Sequence, residues 1–222
     1  MSFFDAIKSC FQAKDRTPHR PKGPLGLGIS AAFQLNTLEY RLIENQLLNP
    51  VSESQFVIEA AGTIDLGAGC NLWRYYTSGD EFLQINTTGG MAEENIEDIK
   101  LFIYESSDGI TSRKAWEKSI SAGEIGQHKI NYRDKKFYRA FNENEKGNIP
   151  AIYFLEQVTN SKGETWPLHN FSMLYQREVA QETFEYLLIN GEETFDENQQ
   201  PEWLISYALG VDVLVSQLHI IS

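Results

Sequence analysis

Three groups of residues in this chain have types and spacings that could do chemistry. The first lies in Ala61–Gly90, AGTIDLGAGCNLWRYYTSGDEFLQINTTGG. Glycines beside Asp, Asn and Thr can turn backbone amides toward a phosphate, and an Arg among aromatics can hold a base. However, DLGAG has no Lys–Ser/Thr tail, so it is not a P-loop, and it lacks the spacing of a dinucleotide fingerprint. Both motifs also need a helix N-terminus to present amides, whereas WRYYT reads as strand. The glycines are therefore read as hairpin turns, where positive φ is required. Strand alternation sends Arg74 and Tyr76 to one face and Trp73 and Tyr75 to the other. Arg74 and Tyr76 are the candidate ligand face.

The second group is KINYRDKKFYRAF, residues 129–141. Here Lys129, Arg133, Lys135, Lys136 and Arg139 stand against the single acid Asp134, with Tyr132, Phe137, Tyr138 and Phe141 interleaved. Such a face could take an acidic partner segment, a nucleotide or a single strand. The favoured reading is a hairpin with one buried aromatic face and lysines guarding its edge, since strand charges commonly serve that purpose. Lys135, Lys136 and Arg139 are carried as candidate ligand- or partner-binding residues.

The third group is the histidines, His19, His128, His169 and His219. None pairs with another at ligand spacing; His128 and His169 sit at predicted strand ends. There is no G-x-S-x-G elbow. Asn142–Asn148 lacks the ligand series of a calcium loop, and the acidic run 192–197 reads as a solvated loop. No catalytic residue, metal site or cofactor is expected.

The elements that must position these groups are mostly strands. Phe56–Leu66, Asn71–Thr77 and Glu81–Asn86 form a meander, followed by Ile99–Glu105, which ends at the turn residues 106–109. Lys129–Tyr132 and Lys135–Phe141 flank Arg133–Asp134. Ala151–Thr159 and Asn170–Glu178 surround a turn at 160–163. Phe184–Ile189 precedes Asn190–Gly191, a strong turn dipeptide. Trp203–Val211 and Leu214–Ile221 finish the chain, the last also readable as helix. Short helices are expected after Asn36, with Leu38, Leu42 and Ile43 buried, and over Thr111–Ser121. The expected fold is mainly β, an antiparallel sandwich or barrel with two or three short helices.

The net charge of −12 opposes diffuse binding to nucleic acid, and no nucleic-acid partner is expected. Residues 1–22 carry five basic against two acidic residues, a net of +3 that leaves −15 on the rest. In Ser2–Lys14, Phe3, Phe4, Ile7, Cys10 and Phe11 share one helical face. A helix that short must dock on something: its own domain, a protein partner or a membrane surface. The Pro/Gly-rich stretch that follows reads as a linker. This divides the chain into a leader, 1–28, and a mostly-β domain, 29–222. Phe3, Phe4, Ile7 and Phe11 are candidate partner- or membrane-binding residues. Two separated cysteines make no disulfide framework. Without a signal peptide or spanning segment, the expected location is cytoplasmic, with peripheral contact at the inner membrane open.

MSFFDAIKSCF, NTLEYRL, GTIDLGAGCNLWRYYTSGDEFLQIN, EYLLI and LGVDV together resemble the YjfK-like family of uncharacterised bacterial proteins. That resemblance implies no activity and no catalytic residues. It implies a genomic neighbourhood of membrane-remodelling coiled coils, small membrane proteins and an ATP-grasp ligase, hence an accessory role at the inner membrane. The leading expectation is a non-enzymatic interaction or adaptor protein. The alternative is a small-molecule-binding domain, or an enzyme, with its site around Arg74.

Overall fold

The computed structural model describes residues 22–52, 54–142 and 144–221. The leader helix and its residues Phe3, Phe4, Ile7 and Phe11 lie outside these. The described chain is mainly β with two α-helices, α1 (Leu38–Leu42) and α2 (Arg113–Ser119).

Twelve strands follow in order: β1 (Ala32–Leu35), β2 (Gln55–Gly67), β3 (Cys70–Thr77), β4 (Glu81–Thr88), β5 (Ile96–Ile110), β6 (Lys129–Tyr132), β7 (Lys135–Arg139), β8 (Ile152–Asn160), β9 (Thr165–Ala180), β10 (Thr183–Phe195), β11 (Pro201–Asp212) and β12 (Leu218–Ile221). Eight of them close an antiparallel barrel in the order β2-β3-β4-β5-β11-β10-β9-β8, with β8 returning to β2. Closure removes the sheet edges that an open sheet would leave. β1 and β12 extend the sheet beside the first half of β2, and the β6–β7 hairpin lies against β9.

Much of the barrel wall is covered on both faces, most fully along β3, β4 and the middle of β10, whereas β2 and β8 alternate buried and exposed residues. On β3, Tyr75 and Trp73 join an outer core with Leu27, Phe33, Phe56 and Leu83. Tyr76 joins the lumen core with Phe82, Phe102, Trp166 and Ala208. A third core, containing Phe137, Met173, Tyr175 and Leu187, fills the space under the β6–β7 side of the wall. β2 serves two of these cores through a register shift at Ile58/Ala60. The extra residue, Glu59, leaves Ile58 outside and brings Ala60 inside, as a bulge does.

The turns follow local chemistry. Ala68 and Gly69 both have positive φ, as do Arg133 and Asp134, the pattern of two-residue type I′ hairpins. The DLGAG glycines thus serve the β2–β3 turn.

Several expectations are corrected. Leu38 and Leu42 are 64% and 79% exposed; α1 is a single turn that buries only Tyr40, whose hydroxyl donates to Asp212 O at 2.7 Å. Residues 106–109 continue β5 rather than turning, because they pair with β11. Leu214–Ile221 is a 3₁₀ turn followed by β12. Leu27, just before Ile29, is fully buried in the outer core.

The largest correction concerns Asn190–Gly191. They lie in the middle of β10, paired on both sides. Gly191 is there for space: a Cβ would stand 2.6 Å from Ile120 Cγ2 and 2.9 Å from Trp116 Cη2. The same strand carries Glu192 into the interior, so the start of the acidic run is not a solvated loop. Gly191→Ala is expected to destabilise the fold by about 1–3 kcal/mol through overpacking, read as a lowered urea midpoint with an unchanged m-value.

Candidate functional site

Polar residues recur at alternate positions on strands that otherwise carry apolar side chains: Arg74 and Tyr76 on β3, Gln84 and Asn86 on β4, Asn170 and Ser172 on β9, Asn190 and Glu192 on β10. In register these positions point into the barrel. They form a polar band across the lumen.

Arg74 is its centre. Its Nη1 donates to Glu156 Oε2 at 3.1 Å and its Nε to Gln84 Oε1 at 3.0 Å. Phe82 and Phe154 stand 5.6 and 5.2 Å from the guanidinium carbon, within cation–π range. Glu156 also accepts from Tyr76 Oη at 2.8 Å and Asn170 Nδ2 at 3.2 Å. The wall is thinned to admit it: a Cβ on Gly62 would lie 1.7 Å from Glu156 Oε1. Asn190 Nδ2 continues the network to Asn170 Oδ1 at 2.7 Å and Glu192 Oε1 at 3.0 Å.

Burial alone would push the Arg74 guanidinium down, but Glu156 and the neighbouring tyrosines carry it above its ordinary range. Burial pushes the Tyr76 and Tyr104 hydroxyls well up. Glu192 is pushed up to about 7 by burial first and by Glu156 second, against the pull of Asn190, Arg74 and Ser206.

On one side of this band the lumen is plugged by the aromatic core around Phe82, Phe102 and Trp166. On the other side is a cavity of about 540 Å³, within the usual range of ligand sites. Arg74, Gln84, Asn86, Asp98 and Lys100 line it from β3–β5, and Phe154, Leu174 and Leu188, with the polar Ser172 and Gln176, line it from β8–β10. Near its mouth Lys100 Nζ is held by Asp98 at 3.2 Å and Asp212 at 3.0 Å, over the Tyr186 ring.

Other candidate residues are placed elsewhere. Arg74 and Tyr76 do share a face, but Lys135, Lys136 and Arg139 are not on it. Lys135 and Lys136 are exposed on β7, outside the barrel. Arg139 contributes to no surface: it is fully buried, and its guanidinium donates to five carbonyls, those of Phe141, Gly126, Gly147, Asn142 and Glu145. It ties the loops around the hairpin together. His169 Nδ1 meets Tyr153 Oη at 2.9 Å on an exposed face, and His128 packs on Tyr138. Neither histidine lines the cavity. No group of three or more His, Cys, Asp or Glu could hold a metal ion among the described residues, and no described helix is long and apolar enough to cross a membrane.

A family model described as "Protein of unknown function (DUF2491)" matches residues 6–219. The chain belongs to the DUF2491 family. It is 50% identical over 208 residues to "Uncharacterized protein YjfK" of Escherichia coli (strain K12), covering 94% of this chain and 95% of that protein. No solved structure matches it. The lumen is thus described in a DUF2491 chain whose family and relative carry no activity by name.

Reasoning from sequence missed Glu156, Asn170, Asn190 and Glu192. The signal for Asn170, Asn190 and Glu192 was present as polar residues two apart on one strand, N-x-S and N-x-E, whereas Glu156 stands between Phe154 and Val158 with no such partner. Raising the Glu192 carboxyl from 4.5 to about 7 has a defined consequence. Between those values the folded state keeps a proton that the unfolded state releases, so stability falls as pH rises through that window. Glu192→Gln keeps the hydrogen-bond acceptor and removes the charge. Its advantage over wild type is expected to be nil below pH 4.5 and to grow to at most about 3 kcal/mol above pH 7, read from urea midpoints across that range.

Proposed function

We propose that this protein is a small-molecule-binding β-barrel, with its site in the lumen beside Arg74. The observation that carries this reading is the cavity of about 540 Å³ at one end of a barrel that is plugged at the other. Closed barrels of eight strands leave an interior that is either filled or able to hold one small ligand. Here it is filled at one end and leaves a cavity at the other. A mostly apolar lining with a few placed polar groups is the usual make-up of a ligand site, and Leu72, Phe154, Leu174 and Leu188 stand here beside Arg74, Gln84 and Asn86.

Binding is favoured over catalysis by what reaches the cavity. The one carboxylate in its lining, Asp98, is held by Lys100 at 3.2 Å, and Glu156 and Glu192 are buried in the polar band outside that lining. A general base must come within hydrogen-bond reach of its proton. The band instead holds the wall rigid, as a preorganised site requires. A second cavity, about 490 Å³, lies outside the barrel near α2 and β6. Its charged residues Lys118 and Glu124 are paired at 3.5 Å on the exposed surface, and it lacks a comparable buried network.

The test is a thermal-shift screen of a broad small-molecule library against wild type and Leu174→Trp, which fills the lumen from its β9 side. A ligand at a hundredfold its Kd adds about 2.7 kcal/mol, a rise of several degrees in Tm for a chain of this size. Such shifts are expected in wild type and not in Leu174→Trp. Shifts that survive the substitution would place binding elsewhere.

A further inference from the structure

We infer that the leader docks on its own barrel, with Phe3, Phe4, Ile7 and Phe11 covering an exposed aromatic face on the outside of β8, β9 and β10 of the same chain. This contact is independent of the lumen site.

The first argument is the face itself. Residues alternating with the inward Glu156, Asn170 and Glu192 point out of the barrel. Among them Tyr153, Leu155 and Phe195 are 53%, 41% and 37% exposed. They are continuous with one another. The Tyr153 ring lies 5.9 Å from His169 and 5.3 Å from Phe171, and His169 lies 5.9 Å from Phe195. Leu155 stands opposite His169 in register. Apolar residues exposed singly need no explanation, but a contiguous face of rings marks a contact surface. Leu38 and Leu42 are also exposed, yet α1 is a single turn and offers no such face.

The second argument is where the leader joins the body. The described chain begins at Lys22, and Gly23 lies on the outer side of β3 against Tyr75 and Trp73, where a Cβ would stand 2.9 Å from Trp73 Cε3. Trp73 pairs with Thr63 on β2, and Thr63 with Gln157 on β8. That is two strand spacings, about 10 Å. Leu155 and Tyr153 are the next outward residues along β8, about 7 and 13 Å further on. Residues 15–21 can span up to about 23 Å. The Phe-bearing segment before them therefore reaches the face.

The third argument is charge. Residues 1–22 carry a net +3. Asp65 on β2, Glu193 on β10, and Asp196 and Glu197 just after β10 border the face, against Arg113 over the Trp203 ring. Opposite signs favour this contact, whereas the net −15 on the rest of the chain opposes an anionic lipid surface. A tethered segment also meets its target at an effective concentration of about a millimolar, so modest apolar burial holds it in place.

The test places the photo-cross-linking residue p-benzoylphenylalanine at position 4 of the full chain and maps its cross-links by mass spectrometry. In the monomer they are expected in peptides containing Tyr153–Leu155, His169–Phe171 or Phe195. They are not expected at α1, which is held at Asp212, the far end of β11 from Trp203. Phe3→Ser with Phe11→Ser alters only the leader, and Leu155→Glu with Phe195→Glu alters only the receiving face. Each pair is expected to abolish the cross-links while keeping the wild-type circular dichroism. Should the second pair lower Tm, the first decides alone. Cross-links that survive the first pair report tethering only and overturn the inference. So do cross-links found only in dimers, which would make a second copy the occupant. Monomer cross-links elsewhere, or none at all, overturn it too, and the latter would leave the leader to another protein or a lipid surface.

Discussion

Arg74 and Glu156 are opposite charges with almost no access to water, brought together from positions 82 residues apart. Taking a guanidinium and a carboxylate out of water costs several kcal/mol each, and the pair recovers that only if its remaining hydrogen bonds are met. The barrel supplies those partners from four strands: Gln84, Tyr76, Asn170 and, through Asn170, Asn190. Breaking one member would leave an uncompensated buried charge, which typically costs 3–5 kcal/mol. The wall must therefore close with β8 between β2 and β9, because only there does Glu156 face Arg74. Gly62 is the small residue that lets it do so.

Around that pair the wall has to satisfy two interiors at once. Its outer face is covered by the chain from Pro24 to Val51 on one side and by the β6–β7 region on the other, so that three apolar cores share one sheet. Bulges in β2 and β5 let single strands change which face they serve. Arg139 has a comparable role outside the barrel. A fully buried guanidinium is stable there because five carbonyls surround it, and these hold irregular loops that have little apolar surface of their own. Both buried arginines thus organise structure, one through a carboxylate and one through backbone.

The polar band also separates the two ends of the lumen. A wholly apolar interior would collapse onto itself, whereas hydrogen-bonded side chains of fixed geometry leave the space beyond them open. Glu192, whose carboxyl burial pushes up to about 7, lies on the buried side of this band. Its proton is part of how the barrel tolerates two glutamates in one interior.

Alternation and turn chemistry in the sequence determined the strands, most of their boundaries, the mainly-β class, and the pairing of Arg74 with Tyr76 on one face. They determined the alternation in β7 as well, with Phe137 and Arg139 on one side and Lys136 and Tyr138 on the other. Which face of β3 was the lumen could not be read, because a period of two separates faces without labelling them, and on this strand Tyr75 and Tyr76 are both buried. Asn190–Gly191 reads locally as a turn; only the packing of Trp116 and Ile120 against the outside of β10 makes that glycine a mid-strand residue. The candidate site was legible in one strand alone. Its other members come from β4, β8, β9 and β10, as far along the chain as Glu192, 118 residues from Arg74, and barrel closure decided which of them would meet, since contact across a lumen depends on register and not on distance along the chain.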